Sequence, residues 1–326
     1  MPQIEIISPI DNTNFDISAG TADSGPLMPI INAQARIVGI TPDPTPTTQF
    51  TWTVQIRFQA ANCPSGKARA IDDQFQIVSV GGEATITFPR FRGGDLTLIV
   101  SADFSTDELI SQTRGLKIRG TNPLRSELNA ALGSLTLQKM AAHESSQRQF
   151  RAAANGGASE CPLFSGDRQG GVGLFQITNP APTDDEHWNW KANCERGQAI
   201  FLEKRGVASR YPARVRKRQG FIDLVDRYNL TSPDLPPLTV ASLPDFDPEQ
   251  LELDTIRGYN GWAGRDPFGM ELHEFSVPLD AAGNLVVNVD PITGVGSIDW
   301  RRIPATERPS RIGDPDYVNH VLAETP

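Results

Sequence analysis

Cysteine is scarce, with three residues in 326: Cys63, Cys161 and Cys194. An odd count leaves at least one thiol unpaired within a single chain. Cys161 and Cys194 flank the most informative stretch of sequence, and a bridge between them or two separate buried thiols are both open readings. There is no Cys-x-x-Cys, and the four histidines are not clustered, so no metal site and no cofactor are expected. No apolar run approaches the roughly twenty residues that cross a bilayer, so no membrane span is expected. Positive charge is in deficit, 30 Lys and Arg against 39 Asp and Glu for a net −9. That balance argues against nucleic acid and anionic membrane surfaces as partners, and any attraction to an anionic wall polymer has to be local. The start, MPQIEIISPIDNTNF, lacks the basic end and apolar core of a Sec signal peptide.

What is present is an ordinary globular composition, 38% hydrophobic and 21% charged, in a chain long enough for two cores. Residues 1–120 read as β structure. Segments 4–7 and 30–40 open the series. Segment 51–58 alternates most cleanly, with Trp52, Val54, Ile56 and Phe58 on one face. Trp52 is therefore expected in a core and not on a sugar-stacking surface. Segments 75–80, 84–88, 96–100 and 116–118 follow, separated by turn signals such as Gly81-Gly82 and Gly93-Gly94-Asp95. About seven short strands at this spacing predict an antiparallel, immunoglobulin-like β-sandwich. It lacks the disulfide of antibody domains, because only Cys63 lies in it. Such a module serves as a spacer or binds a glycan or partner.

Gly120-Thr121-Asn122-Pro123 marks the expected boundary to a second domain, 121–326. Asn122 suits a helix cap and Pro123 a first helical turn. Leu124, Leu128, Leu132 and Leu135 predict a helix interrupted near Gly133, and a second run, 135–143, delivers Glu144. Further helices are expected over 192–204, 211–228 and 248–257. A Pro-rich surface loop is expected at 232–248. A β-hairpin-like insertion is expected at 276–300, where Leu285, Val287 and Val289 alternate after Ala282-Gly283-Asn284. Arg210, Arg214, Arg216, Lys217 and Arg218 form the best local candidate for touching an anionic polymer, with a solvated helix face as the ordinary alternative. Trp188 and Trp190 suit either sugar stacking or bracing of a loop.

The chain is organised around 137–177, LQKMAAHESSQRQFRAAANGGASECPLFSGDRQGGVGLFQI. An apolar helix ends at Glu144-Ser145, a Gly-rich loop follows, and order resumes at Gly173. Low dielectric disfavours a charged carboxylate, so a Glu in this position is a candidate general acid; capping or solvating a helix end is the common alternative. Gly171 and Gly173 permit close backbone approach, and Gln176 offers both a donor and an acceptor to an acetamido group or hydroxyl.

Glu144-Ser145, GDRQGGVGLFQI at 166–177, Tyr259-Asn260 within RGYNGW, and DPDYVNHVLA at 314–323 resemble, in this order, the lysozyme-like fold of soluble lytic transglycosylases and goose-type lysozymes. The resemblance covers roughly 122–326. It departs at Phe175, where the family usually has Met, at Gly258 for Ala, and at Thr178, where goose-type enzymes tend to have Asp. It implies a mainly α, lysozyme-like (α+β) domain behind the β-sandwich. It also implies a glycosidase that cuts the β-1,4 bond between N-acetylmuramic acid and N-acetylglucosamine in peptidoglycan.

On that reading Glu144 is the general acid and then base, and Asp167 the water-positioning carboxylate if the reaction is hydrolysis. Ser145, Gly173, Gln176, Ile177, Tyr259 and Asn260 are expected at the substrate. A lytic transglycosylase needs no second carboxylate, because the substrate's own acetamido group and 6-hydroxyl complete the reaction. The implied partners are peptidoglycan strands, a secretion-machine or phage-particle component, and an inhibitor or immunity protein. The implied location is the periplasm or the exterior, reached without a Sec leader. A catalytically inactive glycan-binding adaptor is the alternative. A cysteine peptidase using Cys161 and His187 is the rival chemistry.

Overall fold

Alternating apolar residues build the N-terminal sheets in the computed structural model, which describes residues 2–67, 69–104, 107–153, 156–167, 170–261, 272–276, 287–307 and 314–326. The strands are β1 (Gln3–Ser8), β2 (Asn14–Thr21), β3 (Gly25–Leu27), β4 (Ile31–Val38), β5 (Gln49–Gln59), β6 (Ala70–Val80), β7 (Glu83–Ile86), β8 (Gly94–Phe104), β9 (Asp107–Gln112) and β10 (Leu116–Gly120). A three-stranded sheet runs β1-β4-β7, and a seven-stranded sheet runs β3-β2-β10-β8-β5-β6 with β9 on β8. All pairs are antiparallel except β2 with β10, which run parallel from Asn14 beside Lys117 to Ile17 beside Gly120. Strand β2 has only Phe15 and Ile17 as large apolar residues, too few for a period to show in the sequence.

The clean alternation of β5 does set its faces. Phe50, Trp52, Val54, Ile56 and Phe58 are all buried, and Trp52 Nε1 donates to Ser79 Oγ at 3.0 Å. Buried rows from both sheets, including Ile31, Ala33, Ala35 and Ile37 of β4, belong to one apolar core. Phe150, Phe164, Val172 and Trp188 belong to that same core although they lie far beyond β10.

The chain accordingly divides beyond the boundary expected at 120–123. One compact unit comprises Met1–Gly197 with Glu324–Pro326, and the other Gln198–Ala323. Several contacts hold the first unit together. Gly120 exchanges backbone hydrogen bonds with Ser159 at 2.7 and 2.8 Å. A side chain at Gly120 would run into the Phe150 ring. Cys63 is disulfide-bonded to Cys161, with 5.7 Å between their Cα atoms and a sequence separation of 98. The bridge considered between Cys161 and Cys194 is thus not formed, and Cys194 is a buried free thiol.

In this unit α1 (Arg125–Leu132) ends at Gly133, whose φ of +65° is left-handed, so the predicted break is where the helix stops. Asn122 does not cap it. Its amide instead pairs with the backbone of Phe150, accepting from N at 2.8 Å and donating to O at 3.0 Å. Next come α2 (Leu135–Ser145), α3 (Asp184–Trp188) and the first part of α4 (Trp190–Ser209), within which the division falls. Helix α3 opens with a capping box in which Thr183 and Glu186 satisfy each other's backbone N–H.

The second unit contains α5 (Tyr211–Val215), α6 (Gln219–Thr231), α7 (Pro248–Tyr259), the short strands β11 (His273–Ser276), β12 (Asn288–Val289), β13 (Gly296–Ser297) and β14 (Asp299–Arg302), and α8 (Tyr317–Ala323). The single helix expected over 211–228 is two helices. The break at 216–218 lets Tyr211, Val215, Phe221, Val225 and Tyr228 share one core. The Pro-rich segment is largely exposed, as a surface loop should be, and is pinned at a few points. Leu238 and Leu243 are buried, Asn229 pairs with the Leu238 backbone, and Trp300 Nε1 donates to Pro244 O at 2.9 Å.

Strands do occur near 276–300: β11 pairs with β14 and β12 with β13. The observed reversal lies at Asp290, whose carboxylate accepts from Ile292 N and Thr293 N. The turn expected at Ala282-Gly283-Asn284 and the position of Leu285 lie outside the described residues. Among the described residues no helix is long and apolar enough to cross a membrane.

Candidate active site

Helix α2 buries Leu137, Met140 and Ala141, and Glu144 follows on its last turn, half-buried. The helix stops because Ser146 and Gln147 both take left-handed backbone, with φ of 54° and 59°. Two consecutive non-glycine residues in that region are uncommon and strained, and such strain gathers at functional sites. Ser146 N and Gln147 N return to Ala142 O and Ala141 O, at 2.8 and 3.0 Å. Ser145 is buried and committed to the same helix end. Its hydroxyl donates to Ala141 O at 2.9 Å and accepts from Arg148 N at 3.2 Å. Both hydroxyl bonds thus close the helix end.

Beyond the reversal, three segments lie side by side. Arg151 N donates to Cys161 O, Leu163 N to Gln149 O, and Gly173 N to Leu163 O, at 2.8–3.0 Å. The third segment then folds into a tight turn over 173–176, closed by mutual backbone hydrogen bonds of Val172 and Ile177 at 3.2 Å. Gly173, at φ +73°, is required here for a reason other than sugar approach. A Cβ would come within 2.4 Å of Gln149 Oε1 and 2.6 Å of Asn193 Nδ2.

Those two amides, which the sequence reading missed, hold the turn. Leu174 N donates to Gln149 Oε1 at 3.3 Å, and Phe175 N to Asn193 Oδ1 at 3.1 Å. Gln149 Nε2 donates to Glu186 O and His187 O, and Asn193 Nδ2 to Val172 O. Both side chains are fully buried. Asn193 was legible in principle, because Trp190, Asn193, Cys194 and Gly197 follow helical spacing on one face. Gly197 on that face leaves room for the Phe175 ring, which a Cβ would meet at 2.3 Å.

Gln176 remains half-buried with φ of 45°. Its Nε2 donates to Gly173 O at 2.8 Å, which aims the amide and leaves Oε1 as an acceptor. Ile177 is buried at 1% exposure. Asp167 is exposed on a turn, while the neighbouring Arg168 of the GDR motif lies outside the described residues.

Tyr259 and Asn260 belong to the second unit, at the end of α7. Both are half-buried. Asn260 Oδ1 accepts from Arg257 Nη1 at 3.2 Å and from Asp314 N at 2.9 Å. In the basic cluster of this unit, Arg216 is bound to Leu243 O and Asp245, and Arg214 and Arg218 lie over the Tyr211 ring. Packing and ion pairing thus already engage much of it.

Neither tryptophan of the loop is a sugar platform. Trp188 is buried edge-on against Phe58, with ring centroids 5.1 Å apart, and Trp190 is buried with Nε1 donating to Ala19 O at 2.7 Å. The cysteine-peptidase chemistry also fails. Cys161 is in a disulfide, and burial pushes the Cys194 thiol far above its ordinary range, which keeps it protonated and inert.

A scan against protein-family models finds no match for this chain, and a search of curated proteins finds none either.

Proposed function

We propose that this chain is a peptidoglycan-cleaving muramidase that cuts between N-acetylmuramic acid and N-acetylglucosamine, with Glu144 as the general acid and base. The observation that carries the reading is the clamp between two motifs. Glu144 lies on the last turn of α2, and Gln149, five residues on, grips the 173–176 turn through Leu174 N. The segment that follows the acid in sequence is thereby bonded to the turn that presents Gln176.

In the proposed reaction Glu144 gives its proton to the glycosidic oxygen as the bond to the muramic acid C1 breaks. The substrate's acetamido oxygen attacks C1. The 6-hydroxyl then displaces it, returning its proton to the Glu144 carboxylate and leaving a 1,6-anhydro end. If water attacks in place of the 6-hydroxyl, Asp167 is the carboxylate that positions it. Gln176 Oε1 accepts the acetamido N–H.

At the level of fold, we read the two N-terminal sheets as an immunoglobulin-like sandwich. The parallel pairing of β2 with the last strand, β10, beside an otherwise antiparallel arrangement supports this. The helices that carry the motifs are read as a lysozyme-like domain. The site of action is the cell wall, in the periplasm or outside the cell. Delivery by a secretion machine or phage particle, and restraint by an inhibitor protein, belong to the same proposal.

The test is digestion of purified peptidoglycan followed by mass spectrometry of the soluble fragments. Fragments ending in muramic acid support the reading. An anhydro end, lighter by one water, identifies transglycosylation. Release of stem peptides alone, or of nothing, overturns it.

A further inference from the structure

The loop between β7 and β8 holds Arg92, a charged side chain in a residue only 6% exposed. Burying a guanidinium is costly unless anions surround it, and this one has three. Its Nη1 donates to Asp185, its Nη2 lies 3.9 Å from Asp184, and its Nε lies 3.5 Å from Asp73 of β6. Asp184 and Asp185 are the first two residues of α3. The next residue of the loop, Gly93, meets the last residue of the same helix. A Cβ there would come within 2.2 Å of the Trp188 ring, so glycine is what lets loop and ring approach this closely. Arg69, just before β6, adds a further contact, donating to Asp184 at 2.6 Å and to Pro182 O at 3.0 Å.

Helix α3 has five residues, too few to persist by itself in water, so its place is set by what it touches. Its carbonyls are in turn the fixed points of the 173–176 turn. Glu186 O and His187 O accept from Gln149 Nε2 at 2.9 and 3.0 Å, and Glu186 O also accepts from Asn193 Nδ2 at 3.4 Å. The oxygens of the same two amides accept from Leu174 N and Phe175 N. A continuous set of bonds therefore runs from Arg92 through α3 and two buried amides to the turn that presents Gln176.

We propose that Arg92 is a positioning residue for this turn, acting through α3. The β half is then part of the scaffold of the site and more than a spacer. The planar fork of a guanidinium reaches Asp73, Asp184 and Asp185 together, which an ammonium on a flexible stem does not reproduce. The consequence for substrate rests on the muramidase reading above. When α3 loses its hold, Gln149 and Asn193 shift with it, and Gln176 Oε1 leaves the place where it accepts the acetamido N–H. Proton transfer by Glu144 uses none of these groups, so loss of Arg92 weakens binding more than chemistry.

Coupling along a chain of contacts is read by disturbing one end and watching the other. Amide hydrogen exchange of the full-length protein, followed by NMR, compares wild type with Arg92→Gln, Arg92→Lys and Asp185→Asn. Asp185 is half-buried, so its variant decides the matter if the Arg92→Gln protein does not fold. The Leu174 and Phe175 amides are expected to exchange about tenfold faster in Arg92→Gln and Asp185→Asn, the scale of one lost charge-assisted hydrogen bond. Arg92→Lys should fall between these and wild type. Val54, in β5 with a paired strand on each side, should keep its rate. On soluble muropeptide chains the variants should raise KM with little change in kcat, the mark of lost binding. Unchanged exchange at Leu174 and Phe175, or equal acceleration at Val54, overturns the positioning role. Cleavage by the wild type is scored separately. Faster exchange at the turn in a protein that cuts no glycan keeps the positioning role and sinks the muramidase reading. Cleavage by a protein whose turn ignores both substitutions does the reverse.

Discussion

At the scale of single residues the decisive one is Glu144. Glu144→Gln keeps the size and hydrogen-bonding shape of the side chain, and the position is half-buried at a helix end, so the melting temperature should hardly move. Turnover should fall by about 10²–10⁴-fold, the usual contribution of a positioned general acid, measured as soluble muropeptide release. Asp167→Asn belongs to the same experiment. A loss of similar size is expected for a water-positioning carboxylate, and a mild one for a residue of an exposed turn. An undiminished Glu144→Gln protein removes the basis of the assignment.

His187 leads to a separate prediction about stability. Burial holds its pKa below the ordinary 6.5, so the unfolded chain binds that proton more readily than the folded one. The contribution of the neutral ring is complete above about pH 6.5. It declines as the pH falls through that value, and levels off once the folded ring protonates. His187→Gln should flatten the dependence of melting temperature on pH between roughly pH 8 and pH 5. An unchanged slope would assign it to other groups.

At the scale of elements, the 173–176 turn depends on partners from elsewhere. Gln149 comes from the segment after α2 and Asn193 from α4, and each satisfies one turn N–H together with carbonyls of its surroundings. Gln149→Leu preserves bulk but leaves Leu174 N and two carbonyls without that partner in a buried place. Each buried group left without its partner costs about 1–3 kcal/mol, so with three such groups the variant should lose at least about 3 kcal/mol, read from denaturant unfolding. Cleavage should fall more than folding does, because the turn that presents Gln176 loses its anchor. Equal stability of variant and wild type would mean that the turn holds its shape without the clamp.

At the scale of the whole molecule, the first unit is the indivisible part. Its β core contains Phe150, Phe164, Val172 and Trp188, and the Cys63–Cys161 disulfide crosses the point where composition suggests a boundary. A fragment of residues 121–326 strips these side chains of their cover. Each loses about 1.5–3 kcal/mol of burial, and four such losses rival the roughly 5–15 kcal/mol margin of a domain. That fragment should aggregate or bind a hydrophobic dye, whereas the intact chain should unfold cooperatively. A soluble fragment with native-like near-ultraviolet dichroism would show that the helical segment has a sufficient core of its own.

Local pattern was enough for much of the secondary structure. The alternation in 51–58 made β5, with Trp52 inward, and Gly133 stopped α1. Asp247-Pro248 started α7, through a capping box and a proline at the first turn. Each of these rests on contacts within a few residues, where period, cap and turn chemistry act. The sequence also singled out Glu144 at a helix end and the Gly-rich turn. Their neighbours were legible only as types. Trp188 and Trp190 are residues that suit a binding site or a core equally well, and burial, which depends on the rest of the fold, decided for the core. The partner of Cys161 lies 98 residues away, and Gln149 and Asn193 earn their place only against a turn brought from elsewhere in the chain. Such pairings are set by which faces the sheets leave to be covered, and no window of local sequence contains that information.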